Sequence, residues 1–237
     1  MPAVQRLTLE VSAEQSVSAL WCLPDKVRSC LVLGHGAGAG MGHASMQALA
    51  DALSEQRVAS LRYQFPYMER KSRRPDPPPL CHATVRAAAA RAQVLLPGIP
   101  LFAGGRSFGG RMTSQAQAIE PLAAVRGLVF FAFPLHPADE PSVTRAAHLS
   151  KIAVPMLFLQ GTKDKLAYPE LLTAVVSKLP GATLHSIEDA DHSFHVPARS
   201  GRTDAQVLQG VVEYCAQWMM GVAAPASDGS AGQSHAF

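Results

Sequence analysis

Cysteine is scarce in this chain. Cys22, Cys30, Cys81 and Cys215 are the only four in 237 residues, and none stands in a C-x-x-C pair or at metal-ligand spacing with a histidine. That pattern excludes a disulfide scaffold and a structural zinc site, and the four thiols read as buried, incidental cysteines. Charge is sparse too, at 16% Asp, Glu, Lys and Arg with a formal net of +3. Nucleic-acid binders carry dense basic stripes. Here the one cluster is Arg70, Lys71, Arg73 and Arg74, within a proline-rich stretch that reads as a solvated surface loop. No basic N-terminal region leads into an apolar stretch, and no apolar run approaches membrane-spanning length. The expectation is a cytoplasmic protein in a reducing setting, with neither nucleic acid nor membrane as partner.

What the chain does have is core-forming sequence: 48% of its residues are hydrophobic, enough for one large domain. Leu7, Leu9 and Val11 alternate with polar residues, as do Val17, Ala19 and Trp21, which predicts an N-terminal antiparallel hairpin. A short, continuously apolar strand then follows at Cys30–Leu33, and further strands read at Val58–Tyr63, Ile99–Ala103, Leu128–Phe133, Val154–Gln160 and Thr183–Ile187. Short, wholly apolar strands belong to a parallel sheet covered on both faces. Between them lie helical patterns around Met46–Leu53, Cys81–Leu96, Met112–Ile119, Pro169–Leu179 and Asp204–Met220, while Gln64–Pro79 reads as a surface loop. This rhythm predicts a single α/β domain over residues 1–220 with a mostly parallel sheet, and a disordered polar tail over 221–237.

The most informative stretch is Gly-Gly-Arg-Ser-Phe-Gly-Gly, Gly104 to Gly110, between a strand and a helix. It reads as a nucleophile elbow, a sharp turn that projects a serine hydroxyl from the sheet and tolerates only tiny residues two positions to either side. Those positions are Gly105 and Gly109. A serine hydroxyl needs a histidine to take its proton, and that histidine needs an acid to fix its tautomer. Asp164 follows the Val154–Gln160 strand, and His192 follows the last strand within Asp189-Ala190-Asp191-His192-Ser193-Phe194. The order serine, acid, histidine is thus supplied by Ser107, Asp164 and His192. His195 competes with His192 but lies farther from its strand, while Asp189 and Asp191 are too near in sequence to reach around the imidazole and are expected to shape the loop.

Acyl transfer also needs two donors for the developing oxyanion. One is expected from the backbone N–H of Phe108. The other is expected from the glycine-rich loop Gly34-His35-Gly36-Ala37-Gly38, with Ala37 the chosen donor and Gly36 the fallback. The same loop matches a permissive dinucleotide-binding turn, and Arg62 at the end of the next strand could meet a 2′-phosphate. That rival leaves the segments around Ser107, Asp164 and His192 unexplained, and no Walker-type lysine follows the glycines.

With these pieces assembled, the chain resembles the α/β-hydrolase superfamily. It looks most like the dienelactone-hydrolase-like branch, and within it a group of small hydrolases related to a regulatory subunit of the NSL histone-acetyltransferase complex. The match is carried by Gly34–Gly38, Phe65–Glu69, Gly104–Gly110, Phe131–His136, Leu157–Asp164 and Ala190–Phe194, within a likeness spanning about Leu7 to Met220. The resemblance implies an eight-stranded sheet whose second strand is antiparallel, and Ser107, Asp164 and His192 as a triad needing no cofactor or metal. Dienelactone hydrolases use a cysteine nucleophile where this chain has Ser107, so their substrate is not carried over. The stretch Pro134–Lys151, where larger relatives insert a lid, is short, implying an open site suited to small esters or thioesters. The alternative is a non-catalytic interaction module on a hydrolase scaffold.

Overall fold

The computed structural model describes residues 3–224. The N-terminal hairpin pairs β1 (Ala3–Ser12) with β2 (Gln15–Leu23), and β2 runs antiparallel to β4 (Val58–Tyr63). The remaining strands are parallel: β3 (Ser29–Gly34), β5 (Leu101–Arg106), β6 (Val125–Phe131), β7 (Met156–Gly161) and β8 (Ala182–Ile187). Together they form one eight-stranded sheet in the order β1-β2-β4-β3-β5-β6-β7-β8. All six residues of β3, β4 and β7 are buried, which explains why they are largely apolar, with Ser60 and Arg62 of β4 and Gln160 of β7 as buried polar residues.

Helices cover both faces. On one, α3 (Pro78–Leu95) and α4 (Phe108–Ile119) pack with α5 (Pro169–Val176) over Val32, Leu61, Phe130 and Phe158. On the other, α1 (Ala44–Glu55) and α6 (Asp204–Ala223) close over Leu31, Leu33, Phe131 and Leu159. The start of α6 is fixed by a reciprocal capping box between Thr203 and Gln206. No lid domain stands between β6 and β7, where Phe131–Met156 contains two single 3₁₀ turns, Thr144–Ala146 and Leu149–Lys151.

Three expectations change. The segment Gln64–Pro79 is not simply a surface loop: it contains the short helix α2 (Pro66–Glu69), and Phe65 and Tyr67 are fully buried. Prolines and arginines suggested solvent, but the two aromatic rings wedge against Tyr63 and Phe108. Helix α4 begins at Phe108, directly after Ser107, rather than at Met112, because the glycines of the elbow are accepted into its first turn. Helix α6 runs to Ala223, past the expected start of the tail at 221, and the tail from 225 onward lies outside the described residues.

Candidate active site

Ser107 sits between β5 and α4 with φ 49° and ψ −114°, a backbone conformation costly for a side-chain-bearing residue. The surrounding glycines make it possible. A Cβ on Gly109 would stand 2.3 Å from the Gly34 carbonyl carbon, and one on Gly105 would stand 2.6 Å from the Gly34 oxygen. The strand β3, its following loop and the elbow therefore touch backbone to backbone. Thr113 ties the turn down by sharing its hydroxyl between the carbonyls of Gly104 and Gly109.

Strands β5, β7 and β8 deliver Ser107, Asp164 and His192 from their carboxyl ends to one place. His192 Nε2 lies 2.8 Å from Ser107 Oγ, and His192 Nδ1 lies 2.7 Å from Asp164 Oδ2. Because an ionised carboxylate only accepts, Nδ1 carries the proton and Nε2 is left to accept from the serine hydroxyl. Asp164 is buried and held on both oxygens: Gln160 Nε2 donates to Oδ2 at 2.5 Å, and the Leu166 N–H donates to Oδ1 at 2.8 Å. His195 turns away to Asp204, with Nδ1 2.9 Å from Oδ2. Asp191 shapes the loop by accepting from the N–H groups of Ser193 and His195.

The glycine-rich loop is braced from beneath. The N–H of Phe65 donates to His35 Nε2 at 3.0 Å, so Nδ1 carries the hydrogen and donates to the Gly36 carbonyl at 2.8 Å. Burial depresses the His35 pKa to about 4, keeping the ring neutral in that tautomer. Tyr67 donates its hydroxyl to the Ala37 carbonyl at 2.8 Å. A trans peptide points its N–H opposite its C=O, so anchoring the Gly36 and Ala37 carbonyls also orients the amides of Ala37 and Gly38. Phe108 opens α4, where the first backbone N–H groups have no helical partner. These braces, His35 and Tyr67, were not singled out as functional by the sequence reading. Their signals were the segments Gly34–Gly38, which contains His35, and Phe65–Glu69, which contains Tyr67.

His136 repeats the His35 pattern on the acid side. Its Nε2 accepts from the Tyr168 N–H and its Nδ1 donates to the Pro137 carbonyl, while its own N–H bonds Leu166, which in turn holds Asp164.

The dinucleotide alternative meets a physical obstacle. Arg62 is fully buried, with its guanidinium bonded to the Met41 carbonyl and to Gln47 Oε1, so it buttresses the loop and offers nothing to a phosphate. Beside Ala37 and Gly38 opens a cleft of about 590 Å³, lined also by Met68, Lys71, Ser72 and Arg73. Part of the basic segment is therefore not a remote solvated loop but the rim of this cleft. Arg70 is differently used: it pairs with Asp76, which also accepts from the Tyr67 N–H.

Among the described residues no group of three or more His, Cys, Asp and Glu is placed to hold a metal ion, and no helix is long and apolar enough to cross a membrane. All four cysteines are buried, and none forms a disulfide.

Known structures share this architecture. A dienelactone hydrolase from Anabaena variabilis superposes with a TM-score of 0.75 at 18% identity, covering 93% of this chain and 98% of its own. An α/β serine hydrolase without a lid from Xanthomonas campestris gives 0.67 at 21% identity, covering 90% and 94%. An α/β serine hydrolase homologue from Coxiella burnetii gives 0.70 at 18% identity, covering 89% and 96%. At these identities the likeness is one of fold. Residues 27–220 match the family model described as an alpha/beta hydrolase domain, and the chain belongs to the α/β-hydrolase family.

Proposed function

We propose that this protein is a serine hydrolase of small carboxylic esters or thioesters, working through an acyl-enzyme. The observation that carries the reading is the unbroken relay from Ser107 Oγ through His192 to the buried Asp164 carboxylate. In this reading Ser107 is the nucleophile and His192 the general base. Asp164 orients the imidazole and stabilises its protonated form. The N–H groups of Phe108 and Ala37 hold the tetrahedral oxyanion. His192 then protonates the departing alcohol or thiol, and a water deprotonated by the same histidine releases the acid. The short β6–β7 segment, which carries no lid domain, supports small or flexible substrates, since among the described residues no apolar cap is present there to bury a long acyl chain.

A non-catalytic scaffold has no need of a serine held at positive φ against a neutral histidine acceptor, so the relay favours the enzyme. The test is a fluorophosphonate probe combined with p-nitrophenyl acetate turnover. Wild-type protein is expected to label at Ser107 and to release p-nitrophenol. Ser107→Ala is expected to do neither, with kcat reduced on the order of a million-fold. Labelling at another residue, or turnover that survives Ser107→Ala, refutes the proposal.

A further inference from the structure

Strand β7 carries one polar side chain among apolar ones. Met156, Leu157, Phe158 and Leu159 lie in the core, and Gln160 beside them is only 3% exposed. Pro169, Leu172 and Leu184 stand around it, sharing with it a cavity of about 10 Å³, and Ser186 is its partner on β8. An apolar side chain of the same length would suit that place better, because a buried amide is unfavourable unless both its ends are bonded. Only one end is bonded here. Nε2 donates to Asp164 Oδ2 at 2.5 Å, whereas Oε1 is buried with no hydrogen-bond partner among the described residues. The orientation of the amide follows from its neighbour, since an ionised carboxylate accepts and cannot donate. Packing does not account for such a glutamine, but the group that its amide holds does.

That group is the acid of the relay. Oδ2 is the same oxygen that accepts from His192 Nδ1, at 2.7 Å. The other oxygen accepts from the Leu166 N–H at 2.8 Å, and the Leu166 carbonyl is held by the His136 N–H. Asp164 therefore has one backbone donor on Oδ1 and two side-chain donors on Oδ2. The plane of an aspartate carboxylate turns easily about its bond to Cβ, where the torsional wells are broad. With Gln160 in place, a turn that carries Oδ2 away from His192 must also break the bond to Gln160. With Leu166 alone, the plane can swing about its one fixed oxygen. Gln160 and Asp164 are joined by a tight turn in which the Asp164 N–H bonds the Gly161 carbonyl, so the clamp and the acid it grips are carried by the same strand end.

We propose that Gln160 is a positioning residue that locks the plane of the Asp164 carboxylate, keeping Oδ2 on His192 Nδ1, and that it serves this role against the preference of its apolar surroundings. It acts only through Asp164. The consequence for turnover rests on the hydrolase reading, whereas the locking of the carboxylate does not.

Gln160→Met tests it, since methionine keeps the length of the side chain and removes the donor. Fluorophosphonate labelling of Ser107 should slow about tenfold, and kcat for p-nitrophenyl acetate should fall in parallel with KM changed less than about twofold. The melting temperature should hold or rise, as expected when a buried polar group retained for function is replaced by an apolar one. In the Asp164→Asn protein, where no carboxylate remains to be locked, adding Gln160→Met should slow labelling no further. Unchanged labelling in the single variant, a loss that persists in the Asp164→Asn background, or a lowered melting temperature overturns the proposal. The proton on His192 Nδ1 gives a reading independent of turnover. Its low-field NMR resonance should be sharp in wild type and broadened by exchange with water in Gln160→Met. A resonance equally sharp in both proteins, or absent from both, overturns the lock. Failure of the wild type to label or to cleave any ester sinks the hydrolase reading instead, and the resonance then decides the lock by itself.

Discussion

Asp164 illustrates how much one side chain depends on its neighbours. Both its oxygens are committed, Oδ2 to Gln160 and His192 and Oδ1 to the Leu166 amide, so an amide in its place would confront donors with a donor. Asp164→Asn is expected to retain the fold while favouring the wrong imidazole tautomer, lowering kcat about 10³- to 10⁴-fold. Activity within tenfold of wild type would remove Asp164 from the relay. Tyr67 offers a milder probe. Removing its hydroxyl in Tyr67→Phe leaves the Ala37 carbonyl without its donor, and an oxyanion loop so loosened should lose kcat more than KM, by about tenfold. A raised KM with kcat unchanged would instead assign the hydroxyl to substrate binding.

At the scale of elements, the critical contact is the crossing of the β3 end with the elbow between β5 and α4. Its separation leaves no room for a methyl group, since a Cβ on Gly109 meets backbone of Gly34 that cannot move without shifting β3. Gly109→Ala should destabilise the protein by more than about 3 kcal/mol or prevent soluble expression. A soluble variant with an unchanged melting temperature would show that the elbow is more pliable than its geometry indicates. The short helix α2 is the second decisive element. It carries Tyr67 to the loop, and the N–H of Phe65 sets the His35 tautomer.

For the molecule as a whole, buried histidine sets the acid limit. Burial lowers the folded pKa of His35 to about 4 against 6.5 for the exposed ring, and it lowers that of His148 in the same sense, also to about 4. Above pH 6.5 the ring is neutral folded and unfolded, and stability is at its full value. As pH falls from 6.5 toward 4 the unfolded chain binds a proton that the folded chain refuses, so stability declines, by about 3 kcal/mol for His35 alone. Urea melts at pH 7.0, 5.5 and 4.5 should show this decline, and His35→Asn, less stable at pH 7, should decline less steeply. Parallel pH dependences would place the acid-sensitive group elsewhere. The exposed His195–Asp204 pair acts in the opposite sense, since its carboxylate partner raises the histidine's pKa.

Local sequence determined the central strands, because short apolar runs such as Cys30–Leu33 and Leu128–Phe133 can only be buried, and it determined the elbow, because Gly105 and Gly109 around Ser107 serve no helix or strand by propensity. The serine-acid-histidine order, and the preference for His192 over His195, were legible from position relative to strand ends. Tertiary structure alone decided what depends on contacts between distant segments. It placed Phe65 and Tyr67 inside a stretch whose composition suggests solvent, turned Arg62 inward to brace Met41, and made Lys71 and Arg73 the edge of a cleft. Periodicity records which side of an element is buried, but pairing between charges separated by tens of residues has no local signature.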